Sequence, residues 1–527
     1  MNMATFPVLS TLVFLPVAGA ILVMLIPKQE KVAIRTAAIA TSAVCLVLAG
    51  LMWLAYDHQA GGMQLEERYV WIPSIGATYH MGVDGVSLPL VFLTALVTFV
   101  AILYSWIIEE RVKEYFVLFL LLQGAMTGVF CALDFILFYI FWEVSLVPMY
   151  FIIGVWGGPQ KEYAAIKFFL YTLVGSLAML LAILVCYYYS GAEGLPRTFD
   201  MLELIERQPA QAMAAHAARW LPALVFWGFF VGFAIKIPCF PFHTWLPDAH
   251  VEAPTAGSVV LAGILLKMGG YGLIRVLIPL MPVHWLAMAK PIGVLALISI
   301  IYGSLVAMAQ SDLKKLIAYS SIGHMGFVTL GCAAMNAQGV NGAVMQMFSH
   351  GLLTSCLFLL AGMIHERTHH ETREIDAFGG LGEVTPVYAG IFTYVAMGSL
   401  GLPGLSGFIA ELLVLMGAFR AGGVWSFGTP RELLAFGTWA YAALAVLGII
   451  LAAAYLLWTI QRIFLGPLNE RWKDMEDVNL LEVASLAPLM LLTLIVGCYP
   501  APLTSTIDAT VVPLLQRALE VVQALGG

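Results

Sequence analysis

Apolar runs of about 18 residues or more recur along this chain from one end to the other, which leaves it very few folds. About 14 can be counted, near residues 6–26, 32–54, 88–107, 115–133, 135–155, 168–189, 221–241, 255–280, 291–309, 314–335, 341–364, 385–420, 436–463 and 484–499. As helices rising 1.5 Å per residue, such runs match a hydrocarbon core of about 30 Å. A backbone in lipid must satisfy its own hydrogen bonds, so the pattern predicts an all-α polytopic membrane protein embedded in a lipid bilayer. Composition agrees: 61% of the 527 residues are hydrophobic and 11% are charged, against roughly 25% charged in soluble domains. A net charge of -7 argues against a nucleic-acid partner. The first run, Phe6 to Ile26, lacks a basic leader and a cleavage site and reads as a transmembrane helix rather than a signal peptide.

Two runs carry interruptions. The seventh ends on Lys236 and meets Pro238 and Pro241, whose nitrogens have no hydrogen to donate to a continuing helix. A polar hinge containing His243, Asp248, His250 and Glu252 then leads into the eighth run, Thr255 to Leu280. The twelfth, 385–420, is too long for one straight helix, and Gly401-Leu-Pro-Gly-Leu-Ser-Gly407 interrupts it. Runs four to eight and nine to thirteen form two groups of five, and an odd number inverts the second group relative to the first. Discontinuous helices seven and twelve then hold corresponding places in two inverted five-helix repeats, the arrangement that marks ion sites in transporters. The expected division is N-terminal transmembrane helices (1–110), first repeat (111–282), second inverted repeat (283–465), and a C-terminal transmembrane helix and tail (466–527).

Loop cations set the orientation. One set of loops holds fourteen Lys and Arg, from Lys28 and Lys31 through Arg471 and Lys473; the other holds eight, from Arg68 through Arg431 and Arg517. The positive-inside rule makes the richer face cytoplasmic and puts both termini on the other side. Asp57–Gly82 and Ala210–Leu221 read as amphipathic segments on the outer surface, and Leu514–Leu525 as a short surface helix.

Titratable groups inside the runs are few, and those that stand out away from the run ends are Glu143, Lys236, Lys267, His324, His350 and Glu411. A charge at bilayer depth is expensive and by default marks function. Six at similar depth on different helices point to one polar axis in the membrane plane. Plainer accounts exist for some of them. Glu143 and Lys236 could be a structural ion pair, His350 a satisfied core histidine, and His324 a partner of Ser320 or Ser321; Asp134 reads as interfacial. Carboxylate, amine and imidazole are the groups whose proton affinity burial and neighbours can bring near neutrality. Two charges about 6 Å apart interact by roughly 3 kcal/mol at an effective dielectric near 20, so moving Glu143 relative to Lys236 would push a proton onward.

Redox chemistry has no visible seat. The seven cysteines are scattered, with no CxxC pair, Walker A or GxGxxG after a strand. His365-Glu-Arg-Thr-His369 matches HExxH, but it lies where a run leaves the membrane and no third ligand follows, so a solvated turn is the reading adopted.

The stretch KIPCFPFHTWLPDAHVEAPTAGSVVLAGILLKMGGYGLIR closely resembles the antiporter-like membrane subunits of respiratory complex I, NADH:quinone oxidoreductase. MGVDGVSLPLVFLTAL (Met81 to Leu96), WEVSLVPMY (Trp142 to Tyr150) and GLPGLSGFIAE (Gly401 to Glu411) fit the same family. The GVDG segment followed by Ser-Leu-Pro-Leu, and the lack of a long lateral C-terminal helix, favour its M-type over its L-type subunits. The resemblance implies 14 helices, two inverted repeats and a proton path, in a bacterial inner membrane or an equivalent energy-coupling membrane. It implies that Glu143 and Lys236 are a coupled pair, Lys267 the central relay, His324 and His350 its neighbours, and Glu411 the distal carboxylate. It implies no cofactor in this chain, with FMN, iron–sulfur clusters, NADH and quinone held by partner subunits and antiporter-like paralogues on either side. An Mrp-type cation/proton antiporter subunit or a membrane-bound hydrogenase subunit is the alternative. The isolated chain should therefore show no intrinsic optical or EPR redox signal and no stoichiometric zinc. Either signal in the purified polypeptide would overturn this reading.

Overall fold

A computed structural model describes residues 6–423 and 438–526. Helix α1 (Val8–Leu25) begins after Pro7, which offers no side-chain cap. The cap comes from elsewhere in the chain. Helix α2 (Lys31–Ala55) is followed by a β-hairpin, β1 (Gln64–Ile72) and β2 (Ala77–Val83). Glu67 on β1 accepts from the backbone of Leu9 at 2.8 Å and of Ser10 at 3.2 Å, meeting amides that a helix start leaves open. The expected amphipathic segment Asp57–Gly82 is thus mostly this hairpin, the one sheet among the described residues and an exception to the all-α expectation. Its turn needs Gly76, which has φ +68° and faces the Arg197 carbonyl too closely for a Cβ.

Helices α3 (Ser87–Tyr104), α4 (Val112–Cys131), α5 (Phe135–Trp156) and α6 (Lys161–Ser190) follow. Asp134 is no simple interfacial residue: it is wholly buried. One of its oxygens caps α5 by accepting from the Ile136 backbone at 2.9 Å, and the other accepts from the Thr78 backbone at 2.9 Å. A single carboxylate so fastens the hairpin to a membrane helix. Short helices α7 (Met201–Arg207) and α8 (Pro209–His216) precede α9 (Leu221–Lys236), which stops at Lys236, and α10 (Trp245–Glu252).

The run Thr255–Leu280 is α11 (Thr255–Val260), α12 (Leu266–Tyr271) and α13 (Ile278–Leu280), joined by π turns at Leu261–Leu265 and Gly272–Leu277. Then come α14 (Pro282–Met308), α15 (Leu313–Ala333), α16 (Ala337–Arg367), α17 (Pro386–Ser399), α18 (Ser406–Arg420), α19 (Thr438–Phe464), α20 (Leu480–Cys498) and α21 (Ala501–Gly526). Twelve helices among the described residues are long and apolar enough to cross a membrane, as a polytopic membrane protein requires. The two remaining expected runs are the interrupted ones: α9 has 16 residues, and 385–420 is split into α17 and α18. The start of the thirteenth run and Arg431 lie outside the described residues.

Burial sorts the helices. Every residue of α16 from Gly339 to Ile364 is buried, as is nearly all of Thr255–Leu280. By contrast α2, α6 and α19 expose Leu54, Leu181 and Ile450, the pattern of a lipid-facing wall. The C-terminal helix is longer than Leu514–Leu525, because Leu503, Ile507 and Val511 extend its buried stripe through a Thr- and Ser-rich stretch that reads locally as a loop.

Two polar faces result. On the hairpin face, α21 closes over the loop before the hairpin and the start of α3: His58 bonds Thr506 at 2.7 Å, and the Gly85 amide donates to Thr510 Oγ1 at 2.8 Å. On the opposite, cation-rich face, Lys31 and Arg35 each reach Glu109 at 2.6 Å and hold its exposed carboxyl down at about 2. There too Arg367 pairs with Glu482 through both carboxylate oxygens.

The hairpin is latched at His80, buried between Asp200 (2.8 Å) and Glu66 (3.0 Å). Burial works against a charged imidazole, but the hydrogen bonds to Asp200 and Glu66 outweigh it and the His80 pKa is raised. Burial likewise opposes the Asp200 carboxylate, but His80 and the α7 backbone outweigh it and its pKa is lowered. The His80 contribution is complete below its unfolded value of about 6.5 and fades as pH rises through the raised one. The Asp200 contribution is complete above about 3.9 and fades as pH falls through the lowered one. His80→Gln should loosen the latch by about 2 kcal/mol. Proteolysis near Gly61 and Gly62 should quicken with rising pH in the wild-type chain and lose that dependence in His80→Gln; identical profiles would remove His80 from the latch.

Candidate functional site

The break after α9 is prepared by its own sequence. Pro238 has no amide to give the Ala234 carbonyl, and Cys239 donates instead at 2.9 Å. The Ile235 carbonyl is met by the Trp245 indole at 3.0 Å, and the Phe240 amide by Ser299 Oγ at 2.9 Å. The Ala234 and Ile235 carbonyls are thus both met, so the helix can stop inside the membrane with Lys236 in its last turn. Lys236 is buried, and its ammonium lies 5.3 Å from the centre of the Trp142 ring, the neighbour of Glu143. Cation–π attraction is worth roughly 2 kcal/mol in a desolvated site. The lysine has no hydrogen-bond partner, Glu143 Oε1 has none either, and no ion pair joins the two. They share a neighbourhood without touching.

Lys267 sits on α12 between the two π turns. π turns gather at functional sites because they shift carbonyls out of the regular ladder. Here the Ala262 carbonyl, in the first π turn, accepts from Lys267 Nζ. The same Nζ lies 2.6 Å from His350 Nδ1 on α16. The rings of His350 and His324 (α15) are 5.6 Å apart, and His324 Nδ1 is 3.4 Å from Glu411 Oε1 on α18. Four of the six expected residues are thus brought together in one string: amine, imidazole, imidazole, carboxylate. A cavity of about 10 Å³ lies among His324, His350, Gln346, Ser349, Ser399 and Glu411, room for about one water.

The second break shapes the far end. Gly401 and Gly404 have φ +85° and +95° and turn the chain between α17 and α18. A Cβ on Gly401 would lie 2.9 Å from Glu411 Oε2, so the missing side chain makes room for that carboxylate. Ser406, at the start of α18, bonds Ser349 at 2.7 Å. His324 is not partnered by Ser320 or Ser321, whose hydroxyls donate to the Ile317 carbonyl. It turns to Glu411 and to Gln346, 3.4 Å away.

The two halves meet by helix packing. At Gly269, two residues from Lys267, a Cβ would press on the Phe233 carbonyl and the Ile237 amide, so α12 lies directly on the end of α9. Sequence reasoning passed over Gln346 and Ser349, single polar residues in a buried helix. It also assigned no role to His250 beyond the hinge; both nitrogens of that buried ring lack partners while it stacks on Phe358 at 4.4 Å. The HExxH helix face does not form: α16 ends at Arg367, and His369 and His370 both have positive φ. Among the described residues no group of three His, Cys, Asp or Glu could hold a metal ion.

Comparison with known proteins agrees with this architecture. The family described as NADH:quinone oxidoreductase/Mrp antiporter, transmembrane, matches residues 132–430. NADH-quinone oxidoreductase subunit M of Rhodobacter capsulatus is 43% identical over 520 residues, 97% of this chain and 96% of its own. NAD(P)H-quinone oxidoreductase chain 4 1 of Synechococcus elongatus is 42% identical over 516 residues, 98% of this chain and 92% of its own. A chain of the respiratory complex I from Thermus thermophilus with bound NADH superposes with a TM-score of 0.83 at 31% identity, over 98% of this chain and 100% of that one. A chain of the Mrp complex from Dietzia sp. shares the fold, with a TM-score of 0.76 at 22% identity over 98% of this chain and 56% of that one. The chain belongs to the NADH:quinone oxidoreductase/Mrp antiporter membrane family, in its subunit M (chain 4) branch.

Proposed function

We propose that this chain carries protons along a polar axis in the membrane plane, as a membrane subunit of NADH:quinone oxidoreductase driven by quinone reduction in partner subunits. The single observation that carries this reading is the string Lys267, His350, His324, Glu411, with its first link at 2.6 Å and its last at 3.4 Å. Each member can both take and give a proton, and the cavity beside His324 and Glu411 gives a water room to complete the path. Glu143 and Lys236 form the other end. Their separation in this structure fits a switch whose two charges approach and part, and the break after Lys236 lets the lysine move without uncoupling a whole helix.

On this reading the chain crosses the membrane 14 times. Residues 111–282 and 283–465 are the two inverted repeats, between helices in 1–110 and a final helix and tail in 466–527. The breaks after α9 and between α17 and α18 are the corresponding discontinuous helices. The cation-rich face is cytoplasmic and the hairpin face, with both termini, is external. FMN, iron–sulfur clusters, NADH and quinone reside in other subunits, and antiporter-like paralogues flank this one.

In vesicles containing the whole assembly, Lys267→Ala and Glu411→Gln should each cut NADH-driven proton uptake severalfold while the assembly stays intact. Glu411→Asp should be milder, since the charge survives with one methylene less reach. Wild-type pumping in both Lys267→Ala and Glu411→Gln would sink the relay. For the other end, Glu143→Gln and Lys236→Ala should each abolish most pumping, and the double variant should be scarcely worse, because members of one working unit are non-additive. If the pair were only structural, the single variants would leave a lone buried charge and harm assembly, and the double would recover. Full pumping in the double variant excludes the switch.

A further inference from the structure

Lys267 is followed along its own run, toward the hairpin face, by Tyr271 and then Arg275, eight residues or about 12 Å away. Arg275 lies in the second π turn, and its Nη1 is 3.2 Å from Asp84 Oδ2. Asp84 is wholly buried, whereas the Arg275 side chain keeps 11% of its surface. That remaining surface has a direction. Arg275 lies in the wall of a cavity of about 300 Å³ on the hairpin face, beneath α21, whose lining includes Gln208, Thr510, Glu206 and Arg517. Glu206 and Arg517 pair at 3.3 Å and are both more than half exposed, so the cavity reaches solvent there. Its volume holds roughly ten waters. Asp84 does not line it.

The carboxylate behind Arg275 is turned to other work. Asp84 Oδ1 accepts from the backbone of Val86 at 3.0 Å and of Ser87 at 2.8 Å, at the start of α3. A helix start carries about half a positive charge, which offsets much of the carboxylate. A cation entering the cavity therefore meets a guanidinium whose counter-charge lies on the far side. Tyr271, between Arg275 and Lys267, gives its hydroxyl proton to the Phe130 carbonyl at 3.2 Å. Fixed positive charge at a constriction is how selective pores turn back protons and other cations.

We propose that Arg275, held in place by Asp84, is an electrostatic gate that keeps protons on the hairpin face from running back into the relay at Lys267. The gate rests on the proton relay proposed above. Asp84 acts through Arg275 and is a positioning residue. A unit charge about 12 Å from Lys267, at an effective dielectric near 20, changes proton occupancy by about tenfold.

The test uses the whole assembly in vesicles with the hairpin face acidified, without NADH, and reads passive proton flux with a pH dye. Arg275→Gln should raise the flux about tenfold, and Arg275→Lys, which keeps the charge, should hold it near the wild-type value. Flux in Arg275→Gln equal to wild type, or a rise in Arg275→Lys as large as in Arg275→Gln, overturns the gate. If Arg275→Gln does not assemble, the double variant Asp84→Asn/Arg275→Gln removes both charges without leaving one buried alone. Raised flux in it supports the gate, and wild-type flux overturns it. Lys267→Ala under NADH separates the two proposals. Lost pumping there with unchanged Arg275→Gln flux removes only the gate, whereas wild-type pumping both there and in Glu411→Gln removes the relay.

Discussion

A lysine ammonium in the middle of a membrane is the constraint on which the rest of this structure depends. Lys267 is buried on a helix that is itself buried. Desolvating such a charge costs several kcal/mol unless partners return the lost hydrogen bonds. Two partners do so here, a carbonyl displaced by a π turn and the His350 ring. Each in turn makes a demand. The π turn departs from the regular ladder, and His350 must be carried to the same depth by α16, whose long central stretch is buried. Once His350 stands there, His324 and Glu411 have a reason to be polar, and α18 must begin late enough to bring Glu411 into line. The chain gap between α17 and α18 does that.

The same logic separates the two breaks from ordinary loops. Both have buried flanks, 236–239 at the first and 405–407 at the second, although Pro241, Leu402 and Pro403 are exposed; around the first the Ala234 and Ile235 carbonyls are met by the Cys239 amide and the Trp245 indole. A break satisfied in this way lets Lys236 lie beside an interruption without leaving those two carbonyls open. The outward-facing helices α2, α6 and α19 have no such burden, and the middles of their outer surfaces are apolar, with exposed polar residues such as Lys31, Glu162 and Gln461 only toward their ends. Buried polar groups and plain apolar surface are divided between the inside and the wall.

Much of this was legible in the sequence because the bilayer imposes a length on every helix and a penalty on every charge. The apolar runs located most of the membrane helices closely, although α6 begins at Lys161 and α14 at Pro282, well before the runs expected from 168 and 291, and the same penalty drew attention to Lys267, His350, His324 and Glu411. What stayed hidden depends on partners distant along the chain. Glu67 and Asp134 look like surface acids until the helix starts they cap are seen. The hairpin was missed because Glu66, Glu67 and Arg68 interrupt its alternation, and the first half of α21 because Thr and Ser in it resemble a loop. The π turns had a faint signature in Gly263, Gly269, Gly270 and Gly272, but glycine in a membrane helix has too many uses to single out one. The serines one turn from His324 left a second partner open for it in the sequence, since proximity along the chain says little about which side of α15 faces α18.

The cap on α1 carries a consequence for the order in which this protein comes into being. Leu9 and the Glu67 that receives its amide are 58 residues apart. A ribosome adding roughly 5–20 residues per second needs about 3 to 12 s to make that stretch. For that time the first helix lies in or at the bilayer with its leading amides open to water and lipid headgroups. It is completed only when the hairpin folds back onto it, after α2 has already been made. The opening helix of the chain is thus finished by a later segment, and its birth and its maturity are separate events.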